Sequence, residues 1–197
     1  MDLISNLALA GGLSWASGLR LYITVFAVGM LNKFGYIHLP ATLDILSNPI
    51  VLAVAGLLSV VEFLADKIPY VDTMWDSIQT FIRIPAGALL AMGAINTSDP
   101  AIATIAALLG ATLTGATHAT KAGSRALINA SPEPVTNMTA SLGEESALIT
   151  GGWLVFAHPA VFIGVLCGFI LLMFWFLPKV WRGVRIILTK ISKLGAK

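Results

Sequence analysis

The chain is short of charge, of cysteine and of histidine. Only 11% of its 197 residues are charged, 57% are hydrophobic, and the mean hydropathy is +0.86. Soluble domains carry about 25% charged residues, so this composition excludes an ordinary soluble globular protein. A single cysteine, Cys167, excludes an internal disulfide. Three histidines without zinc-type spacing give no structural metal site. A formal net charge of +2 is too small for the electrostatic footprint of a nucleic-acid binder. No basic residue precedes the first apolar run and no cleavage pattern ends it, so a removable signal peptide is not expected. No Gly-rich phosphate loop follows a strand, because the pattern contains no strands. No cofactor is expected.

What is present is apolar sequence in long runs, each near the length of about 20 residues that a membrane crossing needs. The pattern predicts an all-α polytopic helical membrane bundle, with helices over Leu3–Leu31, Pro49–Ala65, Ile78–Ile95, Pro100–Asn129, Leu142–Ala157 and Pro159–Leu177. The third and fifth have short apolar cores. The runs fill the chain, so a single membrane domain over 1–197 is expected, with 178–197 as a basic amphipathic tail.

Six crossings would put both termini on one side. Lys67, Arg83, Lys121, Arg125, Lys179, Arg182, Arg185, Lys190, Lys193 and Lys197 then share that side, against Lys33 alone on the other. The excess of Lys and Arg on cytoplasmic flanks makes that side cytoplasmic.

Two stretches are expected to lie on the membrane surface. In the tail, Val180, Val184, Ile187, Ile191 and Leu194 make an apolar stripe between basic residues, suited to the anionic inner leaflet. Around 70–82, Val71, Met74, Trp75, Ile78, Phe81 and Ile82 make another, but its polar face holds Asp72 and Asp76. Acids facing acidic lipid are unfavourable, so these two are expected to turn toward the protein or a cation. Prolines bracket both preceding runs, Pro49 to Pro69 and Pro159 to Pro178, as a weak internal repeat or as punctuation of helix ends.

The informative residues are charges in apolar surroundings. Arg20 falls near the middle of the first helix, where a charge costs about 2.5–3.5 kcal/mol, so it should face a partner. Its i+4 line, Ala8, Gly12, Ala16 and Thr24, has the small residues of a packing face. The fourth helix has a comparable track, Ala103, Ala107, Ala111, Gly115 and Ala119, and beside it a polar stripe of Thr114, His118, Lys121, Arg125 and Asn129. Glu62 and Asp66, four apart on the second helix, reach the same depth as counterions, and Glu144 and Glu145 sit at the expected start of the fifth. Lys121 and Arg125 read either as snorkelling anchors or as part of a site. The acids read either as structural ion-pair partners or as the lining of an ion, proton or headgroup path. His118 alone is a weak metal or titration signal. The Glu144-Glu145 pair lacks the arginine and histidines that an intramembrane protease of the CAAX type would add.

The stretches "SGLRLY" (Ser17 to Tyr22), "EFLADKIPYVDTMWDSIQTFIRIPAGALL" (Glu62 to Leu90) and "HATKAGSRALINASPEPVTN" (His118 to Asn137) resemble a bacterial multi-pass membrane family with plant plastid relatives, known as domain of unknown function 4126. The resemblance implies an integral membrane protein of the bacterial inner membrane without an agreed activity. It also implies that Arg20, Glu62, Asp66, Lys67, Asp72, Asp76, His118, Lys121, Arg125, Glu133 and Asn137 are signature residues. Pro132 and Pro134 would hold Glu133 near Lys121 or Arg125.

The sequence supports a small transporter, channel or lipid-handling protein. In that reading Lys121 and Arg125 hold an anionic solute or lipid headgroup, Glu62 and Asp66 couple a cation or proton, and Arg20 gates or braces the midplane. The alternative is a structural or assembly protein whose charges are ion pairs and whose small-residue tracks serve homo-oligomer contacts. A membrane enzyme ranks third.

Overall fold

The computed structural model describes residues 2–68, 71–129 and 134–194. Every element among them is helical: α1 (Leu3–Lys33), a 3-10 helix (Ala41–Ser47), α2 (Pro49–Ala65), α3 (Val71–Ile95), α4 (Pro100–Asn129), α5 (Pro134–Ala157) and α6 (Pro159–Leu194). The six long helices follow the order expected from the sequence, and α2 and α4 keep the expected bounds.

Local chemistry sets the starts. Asp2 accepts from the Ser5 amide at 2.8 Å, Asn48 from Ile50 at 2.9 Å and Asp99 from Ala101 at 2.8 Å, each capping a first turn. Proline stands first in α2, α4, α5 and α6, where its missing N–H has no helical partner to lose. Proline is therefore mostly punctuation at helix starts, but Pro85 lies inside α3, and Pro178 lies inside α6 and does not bracket a repeat. The two amphipathic stretches are helical as expected, yet they continue α3 and α6 rather than forming separate surface helices.

By length and composition four helices among the described residues can cross a membrane, α1, α3, α4 and α6, and the 3-10 helix with α2, bent by 63°, makes a fifth. α5 is not among them; it carries Glu144 and Glu145 within its length.

The main departure from expectation is in α1. Arg20 has φ −150° and ψ 97°, an extended conformation that breaks the helix into arms 3–19 and 21–33. Ser17 and Gly18 precede the break, a pairing that weakens helix continuity. The contacts give the direction of each arm. From Ser14 to Leu19 the first arm passes from Gly87 and Thr114 to Arg83 and Lys121. From Arg20 to Gly29 the second passes from Asp66, past Gly56 under Phe26, to Leu52 and Leu46. Thr42 then bonds the Gly93 carbonyl near the end of α3. Both arms therefore point to the end of the bundle where α3 finishes, and α1 is a hairpin with Arg20 at its apex. The expectation that both termini share one side rested on a straight α1; in the folded chain they lie at opposite ends of the bundle.

α3 and α4 pack closely along Ala91, Gly87 and Gly110, with Ser14 of α1 against the same spot. The buried line of α4 is Ala106, Gly110, Thr114, Thr117, Lys121 and Arg125, and the small track from Ala103 to Ala119 lies on its flank, half-buried to exposed. The polar stripe is thus the packing face. A Cβ at Gly110 would overlap the Gly87 carbonyl and Ala91, whereas one at Gly164 meets nothing within 4 Å. Gly110→Ala should lower the thermal midpoint of the detergent-purified protein by the equivalent of about 1–3 kcal/mol, and Gly164→Ala should leave it near wild type.

Candidate functional site

At the apex of α1 five helices bring their charges together. Arg20, Arg83, Lys121 and Arg125 meet Glu62, Asp66, Asp76 and Glu144, so the cluster is balanced between cations and acids. All but Glu144 are buried to 4% exposure or less, and Glu144 is partly buried. A burial this deep excludes snorkelling for Lys121 and Arg125.

The organisation starts from the broken backbone. A helix end leaves carbonyls without N–H partners, and in an apolar surrounding each needs another donor. Arg83 Nη1 donates to the Gly18 carbonyl at 3.3 Å and Lys121 Nζ to the Leu19 carbonyl at 3.1 Å. Thr24 Oγ1 donates to the Arg20 carbonyl at 2.6 Å. The negative end of the first arm's dipole is thereby held by two cations.

Each cation then needs an acid. Arg83 pairs with Glu62, and with Asp76 at 3.2 Å. Lys121 lies 3.2 Å from Asp66, 3.5 Å from Asp76 and 3.7 Å from Glu144. Arg20 reaches Asp66 at 2.8 Å, Glu145 at 3.4 Å and the Ser141 hydroxyl at 2.7 Å. Arg125 bonds Glu144 at 3.0 Å and the Asp66 carbonyl at 3.4 Å. At the outer edge Lys67 and Glu145 pair at 3.3 Å, both about a quarter exposed, with Lys67 over the Phe63 ring.

His118 completes the inner layer. Arg83 can only donate, so its 2.8 Å contact makes His118 Nδ1 an acceptor, and Nε2–H faces the Asp76 carbonyl at 3.0 Å with Thr80 beside it. Both ring nitrogens are engaged, which makes His118 a brace between α3 and α4. Among the described residues no group of His, Cys, Asp and Glu could hold a metal ion.

Of the residues singled out in the sequence, Arg20, Glu62, Asp66, Asp76, His118, Lys121 and Arg125 come together here. Asp76 turns inward, as the argument from acidic lipid required. Glu62 finds its partner in Arg83 rather than in Arg20 or Lys121. The Asp72 side chain and Glu133 lie outside the described residues. α5 begins at Pro134, so Glu144 and Glu145 lie about three turns into it rather than at its start. Arg83, fully buried, was read from sequence only as a flanking positive charge. Its signal was the spacing Asp76, Gln79, Arg83, which puts all three on one face of α3.

A family model described as Domain of unknown function (DUF4126) matches residues 7–179, a stretch that holds every member of the cluster. The chain belongs to this family. No curated protein and no solved structure matches it. Among the described residues, Glu62 Oε2 and Asp76 Oδ2 have no hydrogen-bond partner, and neither has the amide oxygen of Gln79, while Asp76 Oδ1 and Glu144 Oε2 are held only by ion pairs.

Asp66 is fully buried and serves both Arg20 and Lys121. Removing one partner of a buried pair costs about 3–5 kcal/mol, so Asp66→Asn should lower the thermal midpoint sharply while Asp44→Asn, at an exposed position, does not. Adding Arg20→Gln to Asp66→Asn should recover part of the loss, which the double-mutant cycle reads as coupling.

Proposed function

We propose that the protein is a small inner-membrane transporter that moves an anionic group together with a proton. One observation carries this reading: α1 is broken in its middle, and the break sits in a buried, balanced cluster of exchangeable ion pairs. Broken helices whose ends meet bound ions are how transporters build sites inside a membrane. Arg20, Lys121 and Arg125 each have more than one acceptor within reach, so one can be given up without isolating the cation.

The charge balance supports the coupling. An arriving anion must displace a carboxylate from Arg20, Lys121 or Arg125. A displaced carboxylate left without a partner in an apolar surrounding is costly and takes up a proton instead. Glu144, partly exposed and shared between Lys121 and Arg125, is the acid we assign to that exchange.

The basic residues support an orientation. Lys67, Lys121, Arg125, Lys179, Arg182 and Arg185 follow the end where α2 and α4 finish, and Lys33 stands at the other. By the positive-inside rule the charged end and the C-terminus face the cytoplasm of a bacterial inner membrane. The hairpin then puts the N-terminus on the opposite side. The structural reading, in which the pairs only hold the bundle, draws on the fact that every acid in the cluster is paired.

Inorganic phosphate, added to the purified protein during thermal unfolding, tests the proposal. Stabilisation should be larger at pH 6 than at pH 8, because a bound anion stabilises the folded state and here brings a proton with it. Glu144→Gln, which copies the protonated acid, should keep only the pH dependence that comes from phosphate's own ionisation near neutral pH. Equal midpoints with and without phosphate in both proteins would support the structural reading instead.

A further inference from the structure

A cavity of about 600 Å³ opens between the two arms of α1 and the second half of α5. Its volume is that of a ligand site. Its walls are apolar, with Leu13 and Val28 from the two arms and Leu148 and Val155 from α5 among them. In a soluble protein such a cavity would have no evident occupant. Here the surrounding medium is lipid, and Ile23, Ile149 and Trp153, all exposed, stand at its rim.

No charged side chain lines the cavity, and the charged apex lies one turn beyond its lower end. Ala16 and Thr24 line the cavity one turn on either side of Arg20, and Thr24 bonds the Arg20 carbonyl. On α5, Leu148 lines it one turn above Glu144 and Glu145. A second polar feature is independent of the cluster. Trp15 lines the cavity, is 9% exposed, and its indole N–H has no hydrogen-bond partner among the described residues. Tryptophan usually finds an acceptor for that N–H when buried.

We propose that this cavity takes the chain of a single-chain anionic lipid, whose head reaches Arg20 at the apex and whose upper part accepts a hydrogen bond from Trp15. The lipid comes sideways from the bilayer past Ile23 and Ile149. This rests on the transport reading and names its substrate class: an amphiphile rather than a free solute. The arms of α1 hold the chain, and the break between them admits the head to the ion-pair cluster.

Gly152 supplies the test. It lines the cavity, and a Cβ there meets nothing within 4 Å, so Gly152→Leu fills the space without disturbing the packing. Binding of dodecyl phosphate, dodecanol and inorganic phosphate is measured to the protein in phosphatidylcholine nanodiscs. Wild type should bind dodecyl phosphate at least tenfold tighter than inorganic phosphate and should bind dodecanol weakly. Gly152→Leu should lose that margin and keep its affinity for inorganic phosphate, and Trp15→Phe should weaken dodecyl phosphate binding several-fold. Equal dodecyl phosphate binding in wild type and Gly152→Leu would overturn the cavity as the chain site. Dodecanol binding as tightly as dodecyl phosphate would overturn the anionic head. If inorganic phosphate binds but the chain adds nothing, only the lipid fails; if neither phosphate binds, the transport reading fails with it.

Discussion

A helix broken inside an apolar bundle cannot leave its carbonyls bare, and much of this molecule follows from how that requirement is met at Arg20. The Gly18 and Leu19 carbonyls draw Arg83 from α3 and Lys121 from α4. Those buried cations require acids, which α2, α3 and α5 provide as Glu62, Asp66, Asp76 and Glu144. Arg20 itself turns to Asp66 and Ser141. Taking any one of these groups away strips desolvated partners on other helices of a contact, so the cluster couples five helices more tightly than their apolar contacts alone would.

The same break separates the molecule into two chemically different halves. Below the apex lies a balanced set of charges; above it, between the arms, lies an apolar cavity lined in part by Trp15, whose indole N–H has no partner among the described residues. Had α1 run straight, its second arm would not face α5 and the cavity would not form. Charge balance also limits what the site can do: a cation or anion can join it only if another charge leaves or is neutralised. That constraint, rather than any single residue, is why proton coupling accompanies the proposed transport.

Much of this was legible in the sequence. Prolines marked the starts of α2 and α4, and the i+4 relations of Glu62 with Asp66 and of Lys121 with Arg125 put each pair on one helix face, which the folded chain buries. Hydropathy also identified α1 as apolar throughout, but it does not register direction, and a single extended residue reverses a helix without changing its composition. Arg83 was passed over because positive charges near helix ends are ordinary in membrane proteins; only its alignment with Asp76 and Gln79 distinguishes it. The packing line of α4 was offset by a residue because small size was weighted above polarity, while in a bundle built on buried ion pairs the polar stripe is the core.

The hairpin is the claim on which the rest stands, and a distance decides it. Spin labels at Leu7→Cys and Leu31→Cys, in a chain carrying Cys167→Ser, report on the two arms at positions that are exposed at the surface. A continuous helix at about 1.5 Å per residue holds those positions roughly 36 Å apart. A hairpin brings them within roughly 15–25 Å, one to two interhelical spacings plus the labels. The shorter distance is the result expected, and a distribution centred near the longer one would contradict the fold, the cavity and the site together.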